Sequence, residues 1–464
     1  MRTRVVALLI VLTALPAVAQ NVDIESLSGL QFNFGNPGAR SLGMGGAFLG
    51  LADDASAAEA NPAGLTILRK KEISLEARNY AEAQVFSTSG TFPDVVRTEF
   101  IHHSDAAVVT FGSFVWPIKN KFTIGAYFHE PLRNQGGGFV APHRNDFTGL
   151  FDTRTPNFFL ANNGTSPITE AQCRALQKTN PSACVEYRIN PFISALDTRL
   201  RTWGIAGAWQ IHPKFSIGAT ARYQEFEEAA FTYRFSQPED GFIPQSISVQ
   251  TTGSAKGTQI EVEPATDITF SAGFKWAPTD KLSFGGVYKK GPSYDAPTFA
   301  AADVTNWEYV KIAETTFHMP DIAGLGVSFR PRPELTVNLD AVHVKYSNLV
   351  DDFQPTIAAV DDVRSSFVAD DVTEMHLGVE YLFPTKIPFA IRGGYFRDPS
   401  HSIEWRGPLD RFEYIAEALL FPTGETQNHL SIGAGLAWSR FQLDAAYDTC
   451  DLYKVGSLSF VTRF

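Results

Sequence analysis

Cysteine is scarce in this chain, three in 464 residues, too few to build a disulfide-dense scaffold. Cys173 and Cys184 sit close together in a polar, irregular stretch and suit a small loop-stapling disulfide, while Cys450 is left as a free thiol. No His or second Cys stands at ligand spacing nearby, so no metal site is expected. Long apolar runs are also missing. After residue 20 nothing approaches the roughly eighteen residues of a transmembrane helix. Excess positive charge is absent as well: 39 basic residues against 50 acidic ones give a net charge of −11, which disfavours nucleic acid as a partner.

What is present begins with "MRTRVVALLIVLTALPAVAQ". Arg2 and Arg4 precede an apolar run from Val5 to Leu15, and Ala17-Val18-Ala19 forms a cleavage site. Residues 1–19 therefore read as a secretory signal peptide, cut before Gln20. Its removal takes the net charge from −11 to −13, since two arginines leave with it.

From about residue 72 one unit keeps returning. In "TWGIAGAWQI" and "FSIGATARY", separated by His212-Pro213-Lys214, apolar and small or polar residues alternate with period two, the mark of a β-hairpin. Similar hairpins run from Ala107 to Phe128, Ile268 to Lys290, Ile322 to Tyr346, Met375 to Phe396 and Leu430 to Asp448. Six hairpins plus single strands at Ile73–Tyr80 and Leu458–Phe464 make fourteen strands. Tight turns alternate with long connections such as Glu130 to Leu200, Glu225 to Asp267 and Gly291 to Asp321. That layout predicts an all-β protein, a 14-stranded antiparallel transmembrane β-barrel of the outer membrane, with its turns in the periplasm.

Charge parity selects the lipid face. Glu76, Arg78, Arg222, Lys275, Lys289, Asp340, Glu380, Arg392 and Asp444 all take the parity opposite to the large apolar residues of their strands. A Lys or Arg facing lipid near midplane costs roughly 2–4 kcal/mol, so these residues are assigned to the lumen. His343 is the exception. Trp116, Trp209, Trp276 and Trp438 each lie beside a tight turn, where an indole suits the headgroup level. At the C-terminal end Leu458, Phe460 and Phe464 share a face, as expected of a strand that closes the cylinder.

Residues 20–71 do not read as barrel strand. Their small residues and one short helical stretch, "DDASAAEA", capped by Asp53 or Asp54 and ended by Asn61-Pro62, predict a hatch folded inside the lumen. The glycines of "GMGGAF", Gly43, Gly45 and Gly46, are followed by Phe48 rather than a third glycine, which argues for close packing and against a phosphate loop.

"GARSLGMGGAFLGLADDASAAEANPAGL" resembles the N-terminal hatch of the FadL/TodX family of outer-membrane transporters of hydrophobic compounds. "HMPDIAGLGVSFRPRPELTVNLDAVHVKYSNL" and "LSIGAGLAWSRFQLDAAYD" are similar to strand pairs of that family. The resemblance implies a hatch at 20–71 and a barrel at 72–464. It implies capture of long-chain fatty acids or similar molecules by long loops, rearrangement of the hatch and lateral exit through the wall. It also implies an ending, with Phe460 and Phe464, that the barrel-assembly machinery recognises on insertion.

Candidate capture residues are Phe147, Phe151, Phe158, Phe159 and Leu160 in one loop and Leu420 and Phe421 in another. Arg222, Lys275, Lys289 or Arg392 could meet a carboxylate, or could instead pair with lumen carboxylates or hold the hatch. Gly43, Gly45, Gly46, Asp53, Asp54, Asn61 and Pro62 are the expected gate. The expected partners are a hydrophobic small molecule such as a fatty acid and the lipid of the outer membrane, with no cofactor and a monomeric state. Two other readings are a structural or secretion-associated barrel of the same fold and a lipid hydrolase. The hydrolase is disfavoured because neither His129 nor His343 has an evident Ser and carboxylate at matching parity.

Overall fold

The computed structural model describes residues 32–82, 85–86, 98–99, 107–119, 121–140, 157–161, 166–168, 170–188, 192–235, 244–301, 307–352, 366–408, 418, 421, 423–451 and 453–464. The signal reading at 1–19 and the capture residues Phe147, Phe151 and Leu420 fall outside them. Fourteen strands form the wall: β1 Glu72–Glu82, β2 Ala107–Lys119, β3 Phe122–Val140, β4 Phe192–His212, β5 Phe215–Phe235, β6 Ala265–Thr279, β7 Leu282–Lys289, β8 Ile322–Arg332, β9 Leu335–Val344, β10 Val372–Phe383, β11 Phe389–Asp398, β12 Gln427–Trp438, β13 Phe441–Thr449 and β14 Tyr453–Arg463. Each pairs antiparallel with its neighbour in the chain. β1 also pairs with β14, from Glu72 opposite Arg463 to Glu82 opposite Tyr453, and so closes the cylinder.

The alternation decides the two faces. Along β12, Leu430, Ile432 and Leu436 are exposed while His429 and Ser431 are buried. The outward residues form the apolar belt that lipid requires, and backbone groups are satisfied by the closed ladder. All nine charged residues assigned to the lumen are buried, and the four tryptophans beside turns are exposed. His343 faces outward, with Nδ1 on Thr373 Oγ1 at 3.1 Å.

Three strands run past their expected ends. β3 has 19 residues and β4 and β5 have 21 each, so they take up the ends of connections read as loops. Beyond the membrane one face need not be apolar; the ladder alone holds these extensions, and the alternation that marks a strand fades. Pro244–Thr251 pairs with the outer part of β5 and with Ser293–Ala301, which pairs in turn with Val310–His318. Cys173 and Cys184 are joined by a disulfide, and among the described residues Cys450 takes part in none.

The N-terminal segment, residues 32–71, is placed by inward side chains from around the wall. Gly38 N donates to Glu76 of β1 (2.9 Å), Phe48 N to Asp340 of β9 (2.6 Å), and Arg40 to Glu380 of β10 (3.0 and 2.9 Å). On the opposite side Ser216 of β5 donates to Ala63 O at 2.9 Å. At the long-loop end, Phe32 packs under an apolar cluster that includes Leu132, Leu200, Phe226, Tyr346 and Phe421.

Candidate functional site

Residues Ala57–Ala60 form one helical turn, preceded by Asp54, whose carboxylate accepts from Ser56 N (2.9 Å) and Ser56 Oγ (2.5 Å). Neither aspartate caps it: the N-cap residue is Ser56, which makes no side-chain cap bond, and Asp53 pairs with Arg40 at 2.5 Å. Asn61 then accepts from Ala63 N at 3.3 Å and starts a 3₁₀ turn, Pro62–Ile67. Glu59, on that alanine turn, points into the wall.

There it meets the Lys289 ammonium at 3.0 Å and the Arg222 guanidinium at 3.3 Å, and accepts from the Tyr127 hydroxyl. Burial alone would raise the Glu59 carboxyl above its usual 4.5, but Arg222 and Lys289 outweigh burial and hold it at about 2. One carboxylate thus serves two buried cations on two strands. Its removal would leave both cations without that partner, which is the costly way to break a buried pair.

Around this ion cluster a narrow cavity of about 30 Å³ is lined by Phe34, Glu59, His129, Pro131, Lys289 and Met319, among others. It has room for a water but not for a long apolar ligand. His129 is buried, has no hydrogen-bond partner on either ring nitrogen among the described residues, and sits edge-on to Phe111 at 5.9 Å.

The wall is irregular beside this cavity. β2 and β3 pair from Lys119 opposite Phe122 up to Phe111 opposite His129. Past that point, among the described residues, each keeps only its other neighbour. β2 carries an extra residue, Thr110, against β1, and β3 carries one around Glu130-Pro131 against β4. Two adjacent bulges at one height, one of them holding a proline that lacks an N–H, leave β2 and β3 unjoined above His129.

Elsewhere the segment is docked by glycines. Cross-strand pairs Gly218–Gly273, Gly285–Gly326 and Gly378–Gly394 face inward. A Cβ on Gly218 would overlap the Pro62–Ala63 backbone, on Gly285 the Leu49 carbonyl, and on Gly394 the Met44–Gly45 backbone. Gly45 and Gly46 hold φ of 62° and 77°, left-handed values that suit glycine. Gly43 lies against Gly433, with Gly433 Cα at 3.0 Å from where a Cβ on Gly43 would sit.

Residues 193–406 match the family model for outer membrane protein transport proteins (OMPP1/FadL/TodX). The match covers just under half of the chain, which resembles that family over those residues. No curated protein matches it by sequence. Among solved structures it is similar to the CymD monoaromatic hydrocarbon channel (TM-score 0.57, 16% identity, 94% of this chain and 99% of that one). It is also similar to the toluene transporter TbuX of Ralstonia pickettii (0.56, 14%, 93% and 99%) and a FadL homologue of Pseudomonas aeruginosa (0.57, 15%, 93% and 100%). At these identities the likeness carries the fold. The closed fourteen-stranded wall is that of an outer-membrane β-barrel.

The expected site residues separate into groups. Arg222 borders the cavity. Lys275 donates to the carbonyls of Gly50 and of Leu51 (2.6 Å for the latter), and Arg392 pairs with Glu380 at 2.7 Å and Asp444 at 2.8 Å. Those two cations are thereby engaged in docking the segment and bracing the wall, away from the cavity. Phe421 is buried against Phe367, 5.2 Å between ring centres, within the outer apolar cluster. Phe158, Phe159 and Leu160 lie on a short strand, Asn157–Ala161, which pairs with Cys184–Arg188.

Glu59, Tyr127, Thr110 and Pro131 were not foreseen in the sequence. A carboxylate among alanines is the one available signal for the first. In the sequence Pro131 stands at the start of a connection that reads as loop.

Proposed function

We propose that this protein takes up long-chain fatty acids, or hydrophobic molecules of similar length with an acidic end, and that residues 20–71 act as the hatch. Cargo enters through the outer apolar cluster. Its carboxylate then replaces Glu59 on Arg222 and Lys289, which frees the helical turn carrying Glu59 and widens the cavity. The chain leaves sideways where β2 and β3 part, directly into the membrane. Each CH₂ kept out of periplasmic water saves about 0.8 kcal/mol, so lateral exit is the economical route for a long cargo. No nucleophile takes part, and the reading is of a carrier rather than an enzyme.

The observation that carries this reading is the coincidence of the two bulges with the cavity, since Pro131 belongs to both. The test is to restore a one-for-one ladder by deleting Thr110 and replacing Glu130-Pro131 with a single valine. The barrel should still assemble, seen as heat-modifiable migration on a gel, while uptake of radiolabelled fatty acid falls to that of cells lacking the protein. Undiminished uptake through the straightened wall would refute lateral exit at this place.

A further inference from the structure

On the lipid-facing surface of β6–β9 lies a hollow of about 650 Å³, floored by Ala272, Gly286 and Ala323 and bordered by Tyr288, Leu325 and His343. Its volume falls within the range of about 300–1,000 Å³ typical of small-molecule sites. The wall here is thin but closed. Ladder pairing is unbroken from Ser271 opposite Lys289 to Trp276 opposite Phe284, and from Leu282 opposite Phe329 to Lys289 opposite Ile322. From inside, Leu49 backs Gly324. The hollow is therefore a place to bind from the membrane and not a passage.

Its two ends differ in chemistry. The part nearer the turns is apolar, whereas the long-loop end, at the level of the outer leaflet, carries an exposed imidazole and two exposed lysines. His343 faces lipid, with Nδ1 fixed by Thr373, and Lys345 is exposed two residues further on. Lys290 is exposed on β7's side, where Asp321 accepts from its ammonium (2.9 Å), from Tyr288 Oη (2.8 Å) and from Gly291 N (2.9 Å). In a chain of net charge −11, basic groups above an apolar hollow suit an anion attached to an acyl chain.

We propose that this hollow is a binding site for the phosphorylated glycolipid of the outer leaflet, lipid A, with one acyl chain over Ala272, Gly286 and Ala323 and a phosphate at His343 and Lys345. The full-length mature protein, delipidated in mild detergent, would be mixed with diphosphoryl lipid A, with its dephosphorylated form, or with a zwitterionic phospholipid, and the adducts read by native mass spectrometry. A one-to-one adduct with diphosphoryl lipid A is expected. Lys345→Ala should weaken it about fivefold, the loss of one basic group near the headgroups. Ala341→Trp, which fills the hollow from the lipid side, should abolish it while the barrel stays heat-modifiable. Absence of the adduct, equal binding of the dephosphorylated or zwitterionic lipid, or full binding by Ala341→Trp would overturn the assignment.

Discussion

Glu59→Ala should turn a closed barrel into a leaky one. The substitution leaves Arg222 and Lys289 buried without the carboxylate that both contact. Breaking a buried pair from one side costs roughly 3–5 kcal/mol, which is about a hundredfold or more in the ratio of docked to undocked hatch. Conductance in planar bilayers should rise, and the segment should become open to protease from the periplasmic side. Glu59→Gln separates charge from contact: it preserves an acceptor for Tyr127 but removes the anion, so it should leak nearly as much. Two variants as tight as the wild type would show that Glu59 only fills space.

The pH behaviour of the same group has a definite sign. Its pKa in the folded protein, about 2, lies below the usual 4.5, so its contribution is complete above the unfolded value and is lost only as pH falls through the folded one. Wild-type conductance should therefore be flat between about pH 5 and 8 as far as Glu59 is concerned. Cargo, not protonation, is what would displace it.

The sequence made the wall legible because lipid punishes error at every second residue. Arg222, Lys275 and Arg392 could be assigned inward from parity alone, and each is buried. Their partners could not be read. Glu59 meets Arg222 across 163 residues and Lys289 across 230, and no periodicity spans such distances. Outside the membrane the lipid constraint ends, which is why the extensions of β4 and β5 passed for loop. Pro131 was hidden for the opposite reason: proline is a sound stop signal in a strand, yet here β3 runs on through it, with Pro131 in the bulge against β4 and beyond the last residue paired with β2.

Gly394→Leu should expel the N-terminal segment outright while leaving the wall intact. Gly394 faces inward and its place for a Cβ is taken by the backbone of Met44 and Gly45. Extra carbons forced into a packed interior cost typically 1–3 kcal/mol even where side chains can yield, and here the obstacle is main chain held by left-handed glycines. The neighbouring residue supplies the control. Gly393 faces outward with nothing within 4 Å of a Cβ, so Gly393→Leu adds an apolar group to the lipid belt of the same strand. Both variants should give heat-modifiable barrels, but only Gly394→Leu should show a large, steady conductance and lose selectivity among solutes. If Gly394→Leu instead stayed closed and transported normally, the segment would have to dock without the inward glycines, and the closed state would rest on its ion pairs alone. If both variants failed to assemble, β11 itself would be intolerant of leucine, and the same contrast would be drawn at Gly285→Val, where the Leu49 carbonyl is the obstacle.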